Sequence, residues 1–283
     1  MLHVPKQPRS LFTIDNWGAN PSGTSGTSII PGASDVEGSF TEILGDLAEE
    51  VHGFFLTIFA GASSGAIKSH LLDLYYDPAG GTSYTEKLIE NLVCGHAVAM
   101  TAAPSGQEYY FPLRIPAGAA VAARVQGSNA TAGTIRVAIK AFGRNYSAAM
   151  PVGTFSETVG TISGSQGVSV TPGNAADGSW TSLGTITRAL WWWVIGWQVS
   201  NTALIADNTY FELAYGDATN KHAILKIMGA CTTAEALGTP MNPSPGFLSG
   251  YAPVAAGVEL FIRARCSGAP ATGYNVVAVG VGG

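Results

Sequence analysis

Charge is scarce in this sequence: 12% of residues are charged and the formal net charge is −5. A nucleic-acid backbone requires clustered Lys and Arg, so no nucleic-acid partner is expected. Cysteine is scarcer still. Cys94, Cys231 and Cys266 lie far apart, form no CxxC and leave an odd count. Three reduced, buried thiols are the expectation, with a Cys231 to Cys266 pair as the alternative. Long apolar runs are also missing. The longest, residues 189–197, is far short of the roughly 20 residues that span a bilayer, and the first ten residues lack the apolar core of a signal peptide. Neither membrane insertion nor export is expected.

Catalytic signatures are absent as well. His3, His52, His70, His96 and His222 show no HxH or HExxH spacing, and only His222 falls in the second half, so no metal site is expected. No phosphate loop or dinucleotide fingerprint occurs, which leaves no cofactor to expect. Gly61-Ala-Ser-Ser-Gly65 fits G-x-S-x-G, but a nucleophile elbow needs a parallel strand, a sharp turn and a helix. The flanks here are strand-like, and the matching loop, Ser200-Asn-Thr-Ala-Leu, lacks the pattern. A hairpin loop is the simpler reading. No catalytic residue is expected, and the chain reads as a non-enzyme.

What the sequence does have is glycine (36), proline (15) and a 46% hydrophobic share, the profile of a turn-rich all-β protein. It also has an internal echo. Ile115-Pro-Ala-Gly-Ala-Ala-Val-Ala-Ala-Arg-Val-Gln is answered by Val254-Ala-Ala-Gly-Val-Glu-Leu-Phe-Ile-Arg-Ala-Arg, so Gly118 matches Gly257 and Arg124 matches Arg263. Pro31-Gly32 matches Pro172-Gly173, and Glu37-Gly-Ser-Phe-Thr matches Asp177-Gly-Ser-Trp-Thr. Self-similarity at a fixed spacing marks a duplicated unit. Ile135, Val137 and Ile139 alternate with Arg136, Ala138 and Lys140, the pattern of a half-buried antiparallel strand. With seven or eight such strands per copy, the expected fold is all-β: two tandem jelly-roll-type β-sandwich domains related by duplication. The boundaries read as an extended N-terminal arm over 1–22, a first domain over 23–145, a linker over 146–166 and a second domain over 167–283. The arm has no sequence counterpart ahead of the second copy.

Two sets of residues stand out. Asp73 and Glu212 are matched acids in the middle of apolar strands, and the recurring Arg124 and Arg263 are natural partners, giving candidate structural ion pairs. Leu11, Phe12, Ile14 and Trp17 in the arm, and Trp191, Trp192, Trp193 and Trp197 in a strand apolar on both faces, are more apolar surface than a solvated segment carries. These eight are candidate assembly-interface residues. The tryptophans, with Tyr109 and Tyr110, alternatively offer stacking platforms for a sugar.

Tyr109-Tyr-Phe-Pro-Leu-Arg-Ile-Pro-Ala-Gly-Ala-Ala-Val-Ala-Ala-Arg-Val-Gln, followed by Thr134-Ile-Arg-Val-Ala-Ile-Lys-Ala-Phe-Gly143, resembles a segment of tailed-bacteriophage virion structural proteins. The likeness runs over residues 23–143 and, more weakly, 167–283, where Gly246-Phe-Leu-Ser-Gly-Tyr-Ala-Pro stands in place of the Tyr-Phe-Pro and Ile-Pro elements. The resemblance implies a non-enzymatic component of a virion assembled in the host cytoplasm: a capsid decoration, collar, tail, baseplate or fibre element. Its partners would be copies of itself and other virion proteins. The competing expectation is a module that binds a host-surface glycan.

Overall fold

A computed structural model of the chain describes residues 13–16, 26–60, 68–96, 107–128, 133–143, 151–160, 164–199, 207–231, 239–241, 253–267 and 273–283. Among the described residues every regular element is a strand and none is a helix. The chain is an all-β protein built of antiparallel sheets packed as sandwiches.

The first half contains β1 (Thr13–Asn16), β2 (Thr27–Ile29), β3 (Thr41–Leu44), β4 (Val51–Ala60), β5 (Lys68–Asp77), β6 (Glu86–His96), β7 (Gln107–Phe111), β8 (Ala120–Gly127) and β9 (Ile135–Gly143). One sheet runs β1-β9-β4-β7, with β2 beside β1 on the same edge of β9; the other runs β3-β8-β5-β6. Alternation decides which side chains lie between them. Phe54, Leu56 and Ile58 of β4 and Val137 and Ile139 of β9 meet Leu72 and Leu74 of β5 and Val121, Ala123 and Val125 of β8 in one core.

The second half contains β10 (Phe155–Val159), β11 (Val168–Val170), β12 (Gly173–Asn174), β13 (Thr181–Thr185), β14 (Trp192–Val199), β15 (Asp207–Gly216), β16 (Lys221–Cys231), β17 (Thr239–Met241), β18 (Glu259–Cys266) and β19 (Tyr274–Gly282). β10 and β11 lie on one edge of β19 and β14 on the other. The facing sheet runs β12-β18-β15-β16-β17, with β13 also on β18. These pairings repeat those of the first half with two differences: β7 joins β4, whereas β17 joins β16, and in place of β12 the first half has only an isolated parallel bridge, Ser34 to Gly127.

The turn before β8 and that before β18 share a backbone. Gly118 and Gly257 both have φ +81°, and their N–H groups donate to the Leu47 and Ile186 carbonyls. Nothing lies within 4 Å of a Cβ built on either. The left-handed conformation, not lack of room, is what calls for glycine here.

β10 lies within the stretch read as a linker, and it flanks β19 as β1 flanks β9. The N-terminal segment therefore has a counterpart, and residues 13–16 form a strand on their own sandwich. Cys94 and Cys266 are buried and neither is in a disulfide, so the Cys231 to Cys266 pair does not form; Cys266 Sγ lies 3.3 Å from the Gly173 carbonyl oxygen. Burial alone pushes the Cys94 thiol far up, away from the reactive thiolate.

The two sandwiches are joined along the β19 sheet, which is buried on both faces. On β14, Trp193, Ile195 and Trp197 point into the second core, while Trp192 and Val194 join the first. On β19, Val276 and Ala278 point inward, Val279 and Val281 join the first core, and Val277 packs with Leu71 and Val93. Gly196 sits where the halves come closest; a Cβ there would lie 2.7 Å from Leu92 Cδ1 and 3.0 Å from the Val93 carbonyl oxygen. Polar groups close the seam. Ser156 Oγ and Thr158 Oγ1 donate to the Leu88 and Glu90 carbonyls of edge strand β6, at 2.6 and 2.5 Å. Trp192 Nε1 donates to the Tyr110 carbonyl and Gln107 Nε2 to the Trp197 carbonyl, both at 3.0 Å. Such bonds matter because an unpaired carbonyl buried at a strand edge costs about 1–3 kcal/mol.

Candidate functional site

Each sandwich carries an arginine station on the outer face of its β8 or β18 sheet. Asp73 on β5 lies opposite Arg124 on β8, and Glu212 on β15 opposite Arg263 on β18. Arg124 Nε donates to Asp73 Oδ2 at 3.0 Å, and its Nη1 is 2.5 Å from Glu37 Oε2. Its guanidinium stands over Phe40 at 4.7 Å and Tyr75 at 5.3 Å. Arg263 repeats this: Nε donates to Glu212 Oε2 at 2.7 Å, Nη2 is 2.8 Å from Asp177 Oδ2, and the plane covers Trp180 at 4.4 Å. The matching Glu-Gly-Ser-Phe and Asp-Gly-Ser-Trp segments thus supply the second carboxylate and the ring. A planar, permanently charged guanidinium satisfies all three demands at once.

The stations differ in depth. Asp73 is almost fully buried and accepts a further bond from the Asn91 N–H at 2.8 Å. Burial pushes its carboxyl up to about 6, while the Asn91 N–H and Arg124 pull the other way. Glu212 is half-buried and also within 3.5 Å of Lys226 Nζ.

Beside the second station lies a surface hollow of about 620 Å³, lined by Asp177, Tyr210, Glu212, Lys226, Arg263 and Arg265 among others. Tyr210 faces Met228 on one side and Arg265 on the other, one pleat along from the Lys226, Glu212, Arg263 row. The residue is half exposed, at 50%, although it sits in mid-sheet. The matching row of the first half is Val93, Leu71 and Gln126. There Leu71 and Val93 are fully covered by Val277.

Of the residues singled out in the sequence, Asp73, Arg124, Glu212 and Arg263 are brought together in these stations. The tryptophans expected at an assembly interface are placed differently. Trp192 lies between the two halves of one chain, Trp193 and Trp197 are inside the second core, and Trp191 is partly buried against the first. Their cover comes from within the chain because the β19 sheet is the shared wall of both sandwiches. Ile14 lies in β1, opposite Ala141 of β9. Leu11, Phe12 and Trp17, and the Gly61 to Gly65 loop, lie outside the described residues. Tyr210, Lys226 and Arg265 drew no attention in the sequence; Tyr210 to Glu212 alternation on β15, set against its aliphatic match in β5, was the available signal.

No family model and no curated protein matches the sequence. Among solved structures the chain is similar to PNGF-II, at 9% identity and TM-score 0.39, over 96% of this chain and 65% of that one. It is also similar to tripeptidyl peptidase 2, at 8% identity and TM-score 0.26, over 98% of this chain and 23% of that one. Likenesses at these TM-scores carry no functional argument for this chain.

Proposed function

We propose that this chain is a non-enzymatic structural component of a bacteriophage virion, built of two jelly-roll-type sandwiches and acting through protein–protein assembly. The carrying observation is the joint: the β19 sheet is buried on both faces, so the two sandwiches form one stiff block of the kind a repeated particle component requires. The resemblance over residues 109–126 and 134–143 supplies the particle. The strand orders β2-β9-β4-β7 and β3-β8-β5-β6 support the jelly-roll reading. With the tryptophans used internally, assembly contacts fall to the remaining surface. Mass spectrometry of purified particles, with sedimentation of the isolated chain, tests this. The chain is expected at many copies per particle; its absence from particles, with a monomer at high concentration, would end the reading.

A second reading, a glycan-binding module, is favoured by one specific feature, the Tyr210 hollow. An exposed ring flanked by charged donors and acceptors suits a polyhydroxylated ligand better than the buried tryptophans do. Binding on a glycan array by the isolated chain tests it.

A further inference from the structure

We infer that the Tyr210 hollow on the β18 sheet is a subsite for an acidic saccharide of the uronate type, bound with a sugar face on Tyr210 and its carboxylate on Arg265. This rests on the glycan-binding reading and deepens it.

Three features point to that chemistry. The half-exposed Tyr210 ring gives an apolar, flat surface that a hydroxylated ring can cover, while the phenol remains wet. The cations of the hollow are unequally engaged. Arg263 is held by Glu212 and Asp177, and Lys226 lies beside Glu212. Arg265 is exposed and makes no hydrogen bond or ion pair with any described residue. It stands directly opposite Tyr210 on the neighbouring strand, and side chains so placed are about 5 Å apart. That separation lets one sugar unit touch both. Finally, Glu212 and Asp177 remain acceptors while paired, each oxygen having more than one lone pair. They can accept hydrogen bonds from sugar hydroxyls.

The first half shows what the hollow would be without this role. The positions of Tyr210, Met228 and Arg265 are held there by Leu71, Val93 and Gln126; Leu71 and Val93 serve as packing surface, and Gln126 donates to the Asp35 carbonyl. Among the described residues, only the second half presents an aromatic ring and an exposed cation to solvent at those positions.

Titration calorimetry of the full chain with trigalacturonate, and with maltotriose as neutral control, tests the assignment. Trigalacturonate is expected to bind at least tenfold more tightly than maltotriose. Arg265→Gln is expected to abolish that preference, and Tyr210→Ala to weaken binding of both by about tenfold or more, with circular dichroism unchanged because both side chains are exposed. No heat from trigalacturonate at millimolar concentration would overturn the proposal, as would affinities that neither variant alters. Binding of neutral glycans alone would overturn the acidic assignment while leaving the glycan reading in place, and particle mass spectrometry is unaffected by either result.

Discussion

The outer face of the β8 sheet and that of the β18 sheet hold the same place in the two halves, and they have opposite surroundings. In the first half, Leu71 and Val93 are buried under Val277, and the β6 edge receives hydroxyls from β10. In the second, Tyr210, Lys226 and Arg265 meet solvent, and along residues 221–227 no described strand pairs with the outer edge of β16. One fold thus yields a packing face and a presenting face through substitutions at a few matched positions.

The opposite wall tells the same story. Paired positions on the joining sheet read Trp192 with Val281, Val194 with Val279 and Gly196 with Val277. Their first-half matches read Gly53 with Phe142, Phe55 with Lys140 and Thr57 with Ala138. A charge in mid-face, Lys140, stands in the first half where the second has Val279, and on the far side Tyr210, Met228 and Arg265 stand where the first half has Leu71, Val93 and Gln126. Both outward faces are thereby unsuited to a third sandwich stacked through the same joint, much as terminal repeats of solenoids are capped by polar surfaces.

Substitutions in the joint should separate the halves most sharply. Trp192→Ala removes a buried ring and strands the Tyr110 carbonyl, and is expected to lower stability by about 3–5 kcal/mol in urea unfolding. Arg124→Ala leaves the buried Asp73 carboxylate without its main partner, at a cost of about 3 kcal/mol, whereas Arg263→Ala beside the wetter Glu212 is expected to cost about 1 kcal/mol. Equal costs would mean that the stations do not differ in depth. Gly196→Val forces a side chain against Leu92 and Val93 and is expected to cost about 1–3 kcal/mol; Thr57→Val, at the matched and half-exposed position, stays within about 0.5 kcal/mol.

A further expected effect is on pH dependence. Because the folded Asp73 carboxyl lies above the ordinary 3.8, the native state binds the proton more tightly than the unfolded chain. Its contribution is fully present below about pH 4 and is lost as pH rises through about 6. Stability measured across that window is expected to fall by roughly 1–2 kcal/mol from this group, and Asp73→Asn is expected to flatten it. An unchanged slope in the variant would remove Asp73 as the source.

The sequence echo makes the stations legible. The arginines recur at one spacing, the acids recur in matched strands, and a mid-strand acid on an outward face needs such a partner. The all-β class followed from turn residues and alternation. The joint was harder to read. A strand apolar on both faces announces that both are covered, and the Trp191 to Trp197 segment does so plainly, but nothing in it distinguishes the other half of the chain from another subunit. β10 was hidden because Phe155-Ser-Glu-Thr-Val159 shares no residue pattern with β1; only its position on β19 relates them. The Tyr210 hollow is not legible in the sequence because its rows draw on three strands, and its first-half counterpart is aliphatic.

The contrast between covered and open faces is tested most directly by native-state hydrogen exchange at the two matched edge strands. Amides of residues 88–93 on β6 are expected to exchange only with global unfolding, and those of residues 222–227 on β16 at least about 100-fold faster through local opening. Equal protection of the two strands would contradict the claim that one half covers what the other leaves open.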